Sequence, residues 1–271
     1  MTRVLLYVLI AIIVVFYLIL LAVSKAQLPT NSGAPLGTVR NLLGLPVALP
    51  FAMYLLSYFG CVLAVIMVAS AIGNEYNWRT IRTAVFSSES RFKLLTAKLI
   101  SAAILVLIGM VIGLAVGFIM SILTTWMGGY KFDFTFITGS YIWDQFLQFW
   151  RTFFVILPYT LLGFMFAIIG RSAMPGIASG IGVFFLEQFI TTIMYLAKGW
   201  IADIPAYLPY ANAQAIIALA NLPSGFASGG GKSGITIVLP GVAHAFVTLT
   251  IYSVSFLVIA YYMFKKRDVT G

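Results

Sequence analysis

The chain has 271 residues, of which 62% are hydrophobic and 8% charged, with a mean hydropathy of +1.05. Soluble domains carry roughly a quarter charged residues, so this composition excludes a water-soluble fold and makes lipid the solvent for most of the chain. The net charge of +9 would suggest nucleic acid in a soluble protein; here it points to basic loops at an anionic leaflet.

In lipid, only helices and closed barrels satisfy their own backbone. The apolar runs are long and lack period-2 alternation, so they predict an all-α integral membrane protein with six transmembrane helices. Its 271 residues form a single transmembrane domain (1–271). The first run is Val4 to Val23. It is longer than the apolar core of a signal peptide, so it reads as a retained span, and its start after three residues leaves room for a longer N-terminus upstream. The second run, about Ala48 to Ile72, holds the single cysteine, Cys61. One cysteine builds neither a disulfide framework nor a cysteine metal site, and inside an apolar run it acts as a small hydrophobe.

Residues 73–98 follow. Trp78, Ile81, Val85 and Phe86 fall at i, i+3, i+7 and i+8, on one helical face, with Arg79, Arg82 and Thr83 away from it. This predicts a short amphipathic helix on the membrane surface. A polar break, Ser87 to Ser90, follows, with Ser88 as N-cap and Glu89 in the first turn of a helix that runs on into the third span. The basic residues of the segment either meet lipid headgroups or dock a partner.

The third span, Leu99 to Leu123, carries Gly109, Gly113 and Gly117 in two overlapping GxxxG patterns, which flatten one face for close helix approach. Packing within one bundle is the preferred reading and a dimer seam the alternative. Residues 124–152 hold Trp126, Tyr130, Tyr141, Trp143 and Trp150, the amphipathic rings of an interfacial belt. Within them, Tyr141 to Trp150 reads as a short helix lying on the outer surface. The fourth span is about Phe153 to Ile169 and the fifth about Gly176 to Leu196, the latter with a further small-residue pair at Gly176 and Gly180.

Glu187 is the one acid within a span. A mid-membrane charge costs about 3 kcal/mol on insertion scales, so it must face protein or water, or be protonated. Gln188, Thr191 and Thr192 lie within reach as partners. The residue is a candidate for a transport pathway, or for a buried structural hydrogen bond. The stretch Gly225 to Ser233 looks like a phosphate-binding loop. That pattern needs a glycine six residues before the lysine, and Phe226 stands there before Lys232. It reads as an outer loop, leaving the chain without a nucleotide site. The sixth span, Gly241 to Phe264, holds His244, the one histidine, which reads as structural.

With the N-terminus placed in the cytoplasm, ten of the sixteen Lys and Arg fall on the inner side, in much the shorter segments. The positive-inside rule therefore predicts both termini cytoplasmic.

Three pieces of the chain resemble the permeases of ABC-2 type transporters. The loop Glu75-Tyr-Asn-Trp-Arg-Thr-Ile-Arg82 followed by Ser90-Arg91-Phe-Lys-Leu-Leu-Thr-Ala-Lys98 resembles their first cytoplasmic loop. Tyr207-Leu-Pro-Tyr-Ala-Asn-Ala-Gln-Ala215 is similar to a Leu-Pro segment before their last span, and Phe264-Lys-Lys-Arg-Asp268 to their basic C-terminal end. The resemblance implies the membrane subunit of an exporter in a prokaryotic plasma membrane, without enzyme activity or a cofactor of its own. It would work as a homo- or heterodimer of permease subunits with a separate ATP-binding subunit that carries ATP and Mg. It also implies that the cytoplasmic amphipathic helix between spans two and three is a coupling helix, with Glu75, Trp78, Arg79, Ile81, Arg82, Val85 and Arg91 docking the ATPase and Glu187 and Gln188 near the pathway. The alternative is an ion- or proton-coupled secondary transporter or channel using Glu187. A membrane-embedded enzyme is disfavoured, because one histidine and one buried acid do not make a catalytic cluster.

Overall fold

A chain that must satisfy its backbone in lipid does so here with helices, and no strand occurs among the described residues. The computed structural model describes residues 2–26, 42–77, 91–129, 134–197, 199–220 and 239–266. Helix α1 is Thr2–Ala26. The second span is α2 (Leu45–Leu55), a π turn (Leu56–Gly60) and α3 (Cys61–Asn77) in succession. Then come α4 (Arg91–Gly128), α5 (Gly139–Ile169) and α6 (Ala173–Leu196). A 3-10 stretch (Gly199–Tyr207) leads into the short α7 (Pro209–Ile217), and α8 is Val242–Lys266. Six helical stretches are long and apolar enough to cross a membrane: Arg3–Lys25, Leu45–Asn74, Phe92–Gly128, Gly139–Ile169, Ala173–Leu196 and Val242–Lys266.

The spans divide by burial. The most apolar windows of Leu45–Asn74 and Gly139–Ile169 are 61% and 72% buried, whereas those of the other four are 17–22% buried. The second and fourth spans therefore form the centre, and the rest turn most of their surface outward. Tyr17, Phe51, Leu56, Val65, Tyr159 and Phe164 belong to the main core. A smaller cluster gathers Val155, Ile216, Ala245 and Leu249 beneath α7.

Small residues set the close approaches. A Cβ on Gly117 would lie 2.5 Å from the Ala52 Cβ, and one on Gly113 2.8 Å from Leu56. A Cβ on Gly176 would lie 2.5 Å from the Gly163 carbonyl oxygen. These glycines thus pack α4 on α2 and the π turn, and α6 on α5, within one chain, as the packing reading expected. Gly109 is different, because a Cβ there meets nothing within 4 Å.

The α-helical pattern of the second span is interrupted for identifiable reasons. Pro50 has no N–H to give the carbonyl four residues back, and the Pro46 carbonyl accepts instead from the Tyr141 hydroxyl at 3.0 Å. The π turn follows one turn later, a local widening of the kind that frequently accompanies functional positions.

One end of the bundle is basic. Leu5, Asn74 and Lys98 line one crevice there. Phe92 stacks on Tyr261, with ring centroids 5.9 Å apart, and Thr96 shares a 2.7 Å hydrogen bond with the Tyr261 hydroxyl. The end of α3 meets the start of α6, where Gly73 leaves no room for a Cβ against Ala173. This end carries Arg3, Lys93, Lys98, Arg171, Lys265 and Lys266, together with both ends of the described chain.

One expectation is corrected. Tyr141 to Trp150 is not a separate surface helix but the first third of α5, which runs unbroken from a Thr138 cap to Ile169. Its Gln145, Gln148 and Thr152, spaced i, i+3 and i+7, are buried, while Ile142, Trp143 and Phe146 stay exposed. Between the fifth and sixth spans lies α7, with Asn212 and Ile216 fully buried. The glycine-rich stretch 225–233 lies outside the described residues.

Candidate functional site

The sequence marks two places, the 73–98 segment and Glu187. Of the first, Trp78, Arg79, Ile81, Arg82, Val85 and the Ser88 cap lie outside the described residues. Their anchors are described. Glu75 is in the last turn of α3, and Arg91 is the first residue of α4. Both anchors belong to the basic end. The helix expected to run on into the third span does so from Arg91, giving α4 38 residues. That is about 57 Å at the helical rise, nearly twice the hydrocarbon core of about 30 Å.

Glu187 sits in α6, fourteen residues after Ala173 and nine before Leu196. This puts it about 14 Å from the end of α6 opposite the basic end. Its Oε2 accepts from the Tyr159 hydroxyl at 2.7 Å and from the Tyr210 backbone N–H at 3.1 Å. The second bond has a local cause. Leu208, the N-cap of α7, has no side-chain acceptor, and Pro209 at the first turn has no N–H. Tyr210 therefore supplies the first orphan donor of the helix, and a carboxylate is the acceptor that the positive helix N-terminus favours. Glu187 caps α7 from a neighbouring helix.

Polar and aromatic side chains surround this bond. Gln214 of α7 donates to the Tyr58 hydroxyl at 2.6 Å, and Tyr58 belongs to the π turn. The Tyr54 and Tyr58 rings lie 5.0 Å apart. The Phe184 ring stands edge-on to Tyr159 at 5.1 Å and to Tyr58 at 6.3 Å. The Tyr210 side chain lies close to those of Tyr58 and Gln188. Asn212 donates to the Ala206 and Leu208 carbonyls, each at 2.8 Å, and its Oδ1 lies 3.2 Å from His244 Nδ1. An amide oxygen only accepts, so His244 carries its proton on Nδ1. The histidine is thus a structural tie between α7 and α8, as the sequence suggested.

The structure brings Glu187 and Gln188 to one cluster and adds Tyr54, Tyr58, Tyr159, Tyr210 and Gln214, which sequence reasoning missed. One signal was available: Leu-Pro-Tyr marks a helix start with Pro at its first turn and no capping side chain, so an outside acceptor is required. The cluster joins the second span, α5, α6 and α7 by hydrogen bonds. Its chemistry is that of polar recognition and positioning. Among the described residues no three His, Cys, Asp or Glu gather as a metal site.

Residues 8–270 match the family described as Protein of unknown function (DUF2705), and the chain belongs to that family. No curated protein and no solved structure matches the chain.

Proposed function

We propose that this member of the DUF2705 family is the membrane-spanning permease subunit of an ABC exporter. It moves its substrate across a prokaryotic plasma membrane with energy from a separate ATP-binding subunit. The reading rests on the resemblance in residues 75–98, 207–215 and 264–268, and one structural observation carries it furthest. The segment with the coupling-helix pattern immediately precedes α4 in the sequence, and α4 is a helix of 38 residues that outreaches the hydrocarbon core. A displacement of residues 78–90 would pass along one rigid helix to Gly113 and Gly117, which pack directly on the second span. That is the mechanical arrangement a rigid-body switch between inward and outward access needs.

On this reading Trp78, Ile81 and Val85 form the docking face, and Glu75, Arg79, Arg82 and Arg91 give polar contacts. Two permease subunits, identical or different, pair with two ATPase subunits that hold ATP and Mg. Both termini are cytoplasmic, which places the six described cations of the basic end on the side where ATP is. The Glu187 cluster, toward the other side, ties together the spans that must separate during transport.

The test is co-expression with the chain's genomic neighbours, extraction in mild detergent and mass spectrometry of the purified complex. The expected result is a stoichiometric ABC ATPase, retained by the wild type and lost from Ile81→Asp and Arg82→Glu, which stay folded. A folded, monodisperse chain with no ATPase would overturn the reading. Proton- or ion-driven transport in liposomes, abolished by Glu187→Gln, would then establish the secondary-transporter alternative.

A further inference from the structure

Near the basic end, α4 and α8 are held together through Tyr261, whose ring stacks on Phe92 and whose hydroxyl bonds Thr96. Beyond that clasp the two helices share the wall of a cavity of about 300 Å³, lined by Val68 of α3, Ala102 and Ala103 of α4, Leu161 of α5 and Leu257 of α8. Small side chains on neighbouring spans ordinarily draw helices together, as Gly113 and Gly117 do against the second span. Ala102 and Ala103 instead border open space, with Ser253 of α8 on the same cavity.

The wall of the cavity is carbon. No charged residue lines it, the Thr160 hydroxyl donates to the Leu157 carbonyl at 2.9 Å, and the Ser253 oxygen is itself buried. Such a space stays dry, and left empty it forfeits the dispersion contacts of its lining. An apolar cavity of about 150 Å³ already takes a benzene-sized molecule, and this one runs along α5 from Phe153 to Leu161, about 12 Å at the helical rise. It therefore has room for a stretch of methylene chain. Depth and mouth identify the source of that chain. Ser253 lies eleven residues from one end of α8 and thirteen from the other, at the middle of the span, where the bilayer is hydrocarbon. Val254, on the rim, is 53% exposed, so the cavity is continuous with the lipid-facing surface of α8.

We propose that this cavity binds the terminal part of one acyl chain of a membrane glycerophospholipid, which enters sideways between α4 and α8. The headgroup stays in the interface and bonds to nothing in the cavity, so selection is by the apolar chain and not by charge. The chain supplies the contacts that Val68, Ala103 and Leu161 lack. Because it is fluid, it fills the space without locking α4 to α8. The inference needs neither the ATPase nor the transport reading, and its test uses the chain alone.

The experiment reconstitutes the full-length chain in liposomes containing a trace of phosphatidylcholine or phosphatidylglycerol with a diazirine near the end of one acyl chain. After illumination, mass spectrometry of the digested protein maps the adducts. Phe189, 67% exposed on α6, reports ordinary contact with the bilayer. Val68 and Leu161 are 5% and 8% exposed, so a chain inside the cavity is what reaches them. Both lipids are expected to label Val68 and Leu161 as well as Phe189. Ala103→Trp, which fills the cavity, and Val254→Trp, at its exposed rim, should each cut the Val68 and Leu161 adducts at least tenfold. Phe189 should stay labelled in both, with melting temperatures within a few degrees of wild type. Labelling of Phe189 without Val68 or Leu161 in the wild type overturns the proposal, as do Val68 and Leu161 adducts unchanged in the folded variants. Adducts there from phosphatidylglycerol alone would mean binding directed by the headgroup and would equally overturn it.

Discussion

Glu187 has two donors aimed at it, and removing the carboxylate strands both. Glu187→Ala leaves the Tyr159 hydroxyl and the Tyr210 N–H without an acceptor inside the bundle. Each buried unsatisfied group costs about 1–3 kcal/mol, so a loss of about 2–5 kcal/mol is expected, read as a lower melting temperature in detergent. Glu187→Gln keeps an oxygen in place and should lose clearly less, while Tyr159→Phe, which removes one bond and its donor together, should cost about 1 kcal/mol. If the three variants melt alike, the capping role is wrong. That an acid at this depth needs partners was legible in the sequence. Which partners was not, because Tyr159 and Tyr210 lie 28 and 23 residues away and meet Glu187 only once α7 folds back between spans.

Among the elements, hydropathy located the spans but not the full helices. Asp144, Gln145, Gln148 and Arg151 dilute the start of α5, so the apolar run begins at Phe153 although the helix begins at Gly139. The helical period held the missing information. Gln145, Gln148 and Thr152 share the inward face, and the exposed rings share the other. The partners of the π turn and of α7 were not legible for a related reason, since Tyr58 meets Gln214 and the Tyr210 N–H meets Glu187 only in the tertiary fold. Helix contacts give a second prediction. Gly176→Ala drives a methyl against the Gly163 carbonyl and should destabilise by about 1–3 kcal/mol, the usual cost of overpacking. Gly182→Ala, also in α6 but facing open space, should be neutral or stabilise by up to about 1 kcal/mol through helix propensity. Thermal unfolding in detergent compares the two, and equal effects would contradict the packing described for α6.

At the scale of the whole molecule, the coupling role requires the basic end to face the cytoplasm. Cys61 is 1% exposed and so makes a silent background once replaced by serine. Met174, 76% exposed, lies at the basic end and Thr135 at the other. In intact cells a membrane-impermeant maleimide should label Thr135→Cys, and Met174→Cys only after permeabilisation. The opposite pattern would invert the topology and place residues 78–86 away from ATP. Six spans and the basic end were legible in the sequence, because lipid imposes both span length and charge placement.

The most direct measurement places a photo-crosslinking amino acid at Ile81 of the full-length chain in living cells. After illumination the account predicts one major protein adduct, an ATP-binding cassette subunit, with the adduct absent when the crosslinker sits at Ile142 on the opposite side. Crosslinks from Ile81 to lipid alone, with no ATPase captured under active growth, would contradict the proposed coupling helix and with it the permease function.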